Sequence, residues 1–241
     1  MTVIKKYMGN TYCFSHQALI TKIGKDAKGT FLCLNETIFH PQGGAQPADT
    51  GTINGKKVTG LAHVGEEIYH YLEEGTECQV NDSVELLVDK ANRLRNAALH
   101  STGHIMAAIL RTKYEFKRQT GANHFPDQAS VKFTIDASRI PAGNELEKDV
   151  GTVIAEHRQL NIVQIEGERC LAIEGLDTGL RCGGTHLTSA DEVDNFRIRN
   201  VKVDSKKREV SFGYECTHRF LSQPKIPTDT ATIDTSIRIA L

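Results

Sequence analysis

The stretch ANRLRNAALHSTGHIMAAILR, residues 91–111, decides the fold. It is rich in helix formers and carries His100 and His104 one helical turn apart. Residues i and i+4 of a helix stack on one face, so the two imidazoles can converge on one metal ion. Leu94, Ala97, Ala98, Ile105, Ala108 and Ile109 recur at helical spacing on neighbouring positions, which turns the histidines inward. A pair of histidines also arises by chance in a chain with ten of them, so the pair alone does not define a site.

A second pair of ligand types follows in Arg181-Cys182-Gly183-Gly184-Thr185-His186. Thiolate and imidazole are the donors zinc prefers, and the two pairs together make a four-ligand set. Gly183-Gly184 argues against a helix through this segment, so Cys182 and His186 are expected on a turn. HxxxH followed by CGGTH resembles the editing domain shared by alanyl-tRNA synthetases and the free-standing AlaX proteins. A third segment, His40-Pro41-Gln42-Gly43-Gly44-Ala45-Gln46-Pro47, is similar to the glycine-rich GGGQP motif of the same family. Its third glycine is Ala45 here, which leaves the backbone role intact only if that position has negative φ. The resemblance runs over roughly residues 10 to 215, contains no aminoacylation domain, and is nearest the medium-length AlaX type.

With 241 residues, 39% of them hydrophobic, the chain can bury a sizeable core. No apolar run is long enough to span a bilayer, and MTVIKKYMGN has no apolar signal core, so a soluble cytoplasmic protein without membrane contact is expected. The six cysteines form no CxxC pair, and the five other than Cys182 are read as buried or semi-buried thiols. A net charge of −1 means that any hold on nucleic acid needs a local basic patch.

From Thr11 to Val88, short extended runs alternate with turn signals, and Asn54-Gly55 predicts a type I′ hairpin. This predicts an α+β protein: a small antiparallel, barrel-like β domain over 1–89, an α+β zinc domain over 90–220, and a flexible tail over 221–241. Within the second part, 119–128 reads as a loop and 129–135 as a strand. Asn144 reads as the N-cap of a second helix with Glu147 closing a capping box. Further strands are expected over 161–165, 169–173, 196–203 and 209–214. Cys170, Cys216, His124, His157 and His218 lack ligand-like spacing and are read as structural or surface residues.

The resemblance implies a reaction, hydrolysis of serine or glycine wrongly esterified to alanine tRNA, and a zinc ion held by His100, His104, Cys182 and His186. Serine is alanine plus a hydroxyl, which a small apolar pocket rejects weakly, so a second sieve that captures the hydroxyl makes physical sense. Thr102 and Gln46 are the candidate catalytic-site groups for that capture, Gly43 and Gly44 the glycine-rich motif, and Lys113, Lys117 and Arg118 the candidate tRNA contacts. Lys202, Lys206, Lys207 and Arg208 offer tRNA another side. A rival reading from a different class is a non-catalytic module that binds the tRNA acceptor stem around a structural zinc. The oligomeric state stays open.

Overall fold

The computed structural model describes residues 2–222 apart from 76, 138 and 177. The eight strands of the first part are β1 (Ile4–Lys5), β2 (Ser15–Asp26), β3 (Gly29–Leu34), β4 (Glu36–Thr37), β5 (Gly51–Ile53), β6 (Lys56–Val64), β7 (Glu67–Leu72) and β8 (Ser83–Val88). Six of them close into a barrel in the order β2-β3-β7-β6-β5-β8, while β1 and β4 pair in parallel outside it. Alternation explains the inner face: in β8, Val84, Leu86 and Val88 are buried and the residues between them are exposed. They join Ile20, Leu32, Phe39 and Ile53 in one core. Asn54 (φ 47°) and Gly55 (φ 75°) make the expected turn, with Ile53 opposite Lys56.

The chain then enters α1 (Lys90–Thr112), and Asp89 caps it by accepting from Asn92 N at 3.0 Å. After it come β9 (Gln119–Asn123), β10 (Ser130–Thr134), α2 (Gly143–Ala155), β11 (Leu160–Ile165), β12 (Glu168–Ile173), β13 (Thr178–Arg181), β14 (Val193–Asp204), β15 (Glu209–His218) and α3 (Arg219–Ser222). Helices against antiparallel sheet, β14-β15-β10-β9 and β11-β12-β13, give the α+β class expected. A second core gathers Ile105, Ile109, Phe116, Phe133, Val150 and Phe212, so α1 is buried along most of its length. None of the described helices is long and apolar enough to cross a membrane.

Two expectations need correction. The segment expected as a loop from 119 contains β9, an edge strand whose weak β-formers are held by backbone pairing to β10 across a bulge. The second helix starts at Gly143, and Glu145, not Glu147, reaches back to bond Ala142 N at 2.9 Å. Glu147 instead accepts from Ile198 N at 2.6 Å. Of the expected tail, residues 221 and 222 end α3 and 223–241 lie outside the described residues.

One buried ion pair ties the barrel to the helix. Arg93, fully buried in the first turn of α1, donates Nε to Asp49 Oδ1 at 2.9 Å and Nη1 to Thr11 O at 2.9 Å. Its Nη2 reaches Ile38 O and Asp49 Oδ2. Asp49 also accepts from His40 N, at the start of the glycine-rich segment. A guanidinium with each of its three nitrogens bonded and a carboxylate beside it is the arrangement in which a buried charge is tolerated. Arg93 therefore holds α1 against the segment 38–49.

Candidate metal centre

His100 and His104 leave α1 on one face, with ring centroids 5.0 Å apart. The segment after β13 is non-helical, as its two glycines demand, and it folds back so that His186 lies 4.6 Å from His100 and 5.0 Å from His104, ring to ring. Cys182 Sγ lies 3.3 Å from His100 Nε2 and 3.0 Å from His186 Nε2. One ligand atom from each of His100, His104, Cys182 and His186 falls within 4.8 Å of the others. A tetrahedral zinc needs ligand atoms roughly 3.5 Å apart, so the cluster matches the size of such an ion.

The ring orientations are set by neighbours. Gln46, fully buried, presents Oε1 to His100 Nδ1 at 2.7 Å, accepts from Thr185 N at 3.0 Å, and donates Nε2 to Thr185 Oγ1 at 2.9 Å. An amide oxygen is only an acceptor, so Nδ1 of His100 carries the proton and Nε2 keeps its lone pair for a metal. Ser101 Oγ lies 3.4 Å from His186 Nδ1 and accepts from Leu187 N at 3.0 Å. His186 N is anchored on Thr11 Oγ1 at 3.0 Å. Gly184 packs flat on the His100 ring: a Cβ there would lie 2.2 Å from His100 Cε1. Gly183 has open space at the same position, so only the second glycine is forced by packing.

Electrostatics suit a cation. Burial, with smaller contributions from Arg111 and Arg169, pulls the pKa of His104 down to about 4. Burial, then the neighbouring imidazoles, holds those of His100 and His186 well below the ordinary histidine value. The rings are thus neutral at physiological pH and ready to ligate. Burial raises the Cys182 thiol, opposed by the Gly184 N–H and the Arg169 charge. Arg169 also donates to Cys182 O.

A cavity of about 260 Å³ opens beside the cluster, walled by His100, His104, His124, Cys182, Gln119 and Arg181. Thr102 and Gln46, the two groups read from the sequence as facing substrate, do not wall it, whereas Gly44 and Ala45 of the glycine-rich segment do. Thr102 is fully buried with Oγ1 3.3 Å from Cys216 Sγ. Two residues beyond His100 is about 200° round the helix, so its hydroxyl points into the core. Gln46 is engaged with His100 and Thr185 as described. Gly43 closes a turn with Gln46 through paired backbone bonds of 2.9 and 3.1 Å, and Gly44, at φ 57°, comes within 3.9 Å of His100 Cε1 in the Cβ sense. Ala45 has φ 62°, so the negative-φ condition fails and an alanine sits in left-handed backbone.

The sequence matches no family model. It is 26% identical over 234 residues to alanyl-tRNA editing protein AlaX-M of Methanosarcina mazei, covering 83% of this chain and 91% of that protein. It is 27% identical over 238 residues to AlaX-L of Pyrococcus horikoshii, covering 88% of this chain and 58% of that one. Against the alanine tRNA ligase of Caldivirga maquilingensis the identity is 30% over 232 residues, covering 81% of this chain and 24% of the ligase. The chain is a relative of the alanyl-tRNA editing proteins. It spans nearly all of the AlaX-M length, just over half of AlaX-L and about a quarter of the ligase.

For a relative of editing proteins, the placement of the basic residues matters. Lys113 is ion-paired to Asp149, while Lys117 and Arg118 are exposed beyond the end of α1. Arg93 is in the core, and Arg95 is exposed. Sequence reasoning missed His124, which stacks on His100 at 4.4 Å and lies on the cavity wall. The legible signal was Gly103, a glycine inside a helix between the two histidines, which marks a close approach by something large. A Cβ at Gly103 would lie 2.4 Å from His124 Cε1.

Proposed function

We propose that this chain is a trans-editing deacylase that hydrolyses the ester of serine, and of glycine, wrongly attached to alanine tRNA. It does so with a zinc ion held by His100, His104, Cys182 and His186. The observation that carries the reading is a three-imidazole, one-thiol cluster, three members of which, His100, His104 and Cys182, line a cavity, in a chain whose relatives are named for alanyl-tRNA editing. When bound, zinc supplies Lewis-acid polarisation at that wall. The chain's own residues do the rest. Gln46 holds the Nδ1 proton of His100 and aims Nε2, Ser101 steadies His186, and Arg169 opposes the thiol proton of Cys182. Ala107, Ala122 and Gly103 keep the cavity wall low, which suits a small amino-acid side chain. Lys117 and Arg118 contact the tRNA phosphates, with residues 1–89 and 90–220 as two domains flanking the cavity.

The complete four-ligand set favours one rival, a closed structural zinc in a non-catalytic tRNA-binding module. Incubating the purified chain with seryl-, glycyl- and alanyl-tRNA(Ala), with elemental analysis of the same sample, separates the two. Release of serine and glycine faster than alanine, with one zinc per chain, is the expected outcome. Zinc and tRNA binding without release would establish the rival, and no zinc in carefully prepared protein would sink both.

A further inference from the structure

His124 is an imidazole built into the cavity wall with one nitrogen left for a ligand, and what it binds rests on the deacylase reading above. Its Nδ1 lies 2.8 Å from the Tyr214 hydroxyl. That hydroxyl donates its single proton to Leu99 O at 2.8 Å, so it can only accept from His124, and Nδ1 is the protonated nitrogen. The ring's position is fixed from three further sides. His124 N donates to Ala45 O at 2.9 Å, the ring stacks on His100 at 4.4 Å, and Gly103 leaves the space it occupies. Glycine is a poorer helix former than alanine, so α1 gives up stability at the point where this ring sits. Nε2 bonds to no described residue, and the ring faces the cavity beside the cluster.

The cavity wall has no carboxylate among the described residues. An aminoacyl ester differs from other esters by its α-amino group, a donor that needs an acceptor. We propose that His124 is a substrate-binding residue whose Nε2 accepts a hydrogen bond from the α-amino group of the aminoacyl ester. The ester is thereby oriented with its carbonyl toward the cluster, and the Tyr214–Leu99 relay is the device that keeps Nε2 an acceptor. The chain then selects aminoacyl esters over acyl esters of the same size and shape.

The test compares seryl-tRNA(Ala) with 3-hydroxypropanoyl-tRNA(Ala), in which a hydrogen replaces the α-amino group and no donor remains there, in the wild type, His124→Asn and His124→Gln. The asparagine amide nitrogen falls where Nδ1 lies and keeps the Tyr214 bond, but nothing occupies the place of Nε2. Glutamine puts an amide where Nε2 lies. Zinc content and unfolding temperature are measured on each. A hydrogen bond to a charged donor is worth a factor of about ten or more. The wild type should prefer the seryl ester by at least that factor in kcat/KM. H124N should bring the ratio close to one with zinc retained, chiefly through a raised KM for the seryl ester, and H124Q should recover part of it. A wild type that treats the two esters alike overturns the proposal with no variant needed. So does an H124N chain that keeps the wild-type ratio, or one that loses its zinc, since the ring would then serve His100 alone. A wild type that hydrolyses neither ester ends the deacylase reading and this one with it, and is told apart by that silence.

Discussion

Replacing Gln46 by methionine keeps side-chain length and burial but removes every hydrogen-bonding atom beyond Cγ. Two donors lose their acceptor: the His100 Nδ1–H, now 2.7 Å from Oε1, and the Thr185 N–H at 3.0 Å. Both lie in fully or almost fully buried residues. Leaving a buried donor unpaired costs about 1–3 kcal/mol, so Gln46→Met should destabilise the chain by about 2–4 kcal/mol once relaxation is allowed for. The more telling effect is on the metal. With no acceptor at Nδ1, His100 is free to take the other tautomer, whose protonated Nε2 cannot ligate. Loss of such a supporting bond weakens metal affinity about 10- to 100-fold. The assay is competition for zinc against a chromophoric chelator, with Gln46→Glu beside it, since a carboxylate still accepts from Nδ1 and should bind zinc at least as well as wild type. Unchanged zinc affinity in Gln46→Met would refute the reasoning, because Gln46 would then serve only to staple residues 46 and 185.

Four further outcomes follow from the structure. Ala45→Gly relieves left-handed backbone at φ 62° and should raise stability in urea by about 0.5–1 kcal/mol, and a loss would mean that the methyl packs usefully. Arg93→Met leaves Asp49 charged and buried and should destabilise by about 3–5 kcal/mol, whereas a change under 1 kcal/mol would show that the pair does not bind barrel to helix. Burial pushes the Glu192 carboxyl up, but hydrogen bonds from His218, Tyr12 and Thr188 outweigh it and hold the pKa at about 2, below the ordinary glutamate value. The stabilisation is therefore present above the ordinary value and lost as pH falls through it toward 2, so Glu192→Gln should flatten the acid limb of the stability curve. Neutralising Lys117 and Arg118 together should lower the log–log salt slope of tRNA binding by about 1 per lost phosphate contact while leaving kcat intact, and wild-type binding at every salt would move the tRNA to another face.

Much of this was legible because it is local. The helix was readable from its formers and its apolar spacing, and the hairpin from Asn54-Gly55, since propensity and turn chemistry act over a few residues. The four clustered side chains were readable as two short spacings of the right chemistry. What the sequence hid depends on direction or on distant partners. Thr102 lies between two inward histidines yet faces away from them, a matter of helical phase. Gln46 was read as facing substrate because nothing in the chain says that Thr185, 139 positions later, takes its amide. His124 has no spacing to betray it, and its place depends on Tyr214, 90 positions on. Arg93 resembles any surface arginine in a first turn until the carbonyls of residues 11 and 38 are seen around it.

The spread of the cluster along the chain fixes an order of assembly. His100 and His104 meet as soon as α1 forms, a local event on a microsecond scale. Cys182 and His186 must return across some eighty residues, and Gln46 reaches His100 from 54 positions before it. Long closures come late in folding because their entropy is lost before their contacts form. A newly made chain therefore offers a metal ion two separate ligand pairs, His100 with His104 and Cys182 with His186, until the barrel and both sheets are in place. The complete ligand set appears as the last contacts close, so tight metal uptake is a timestamp for the finished fold.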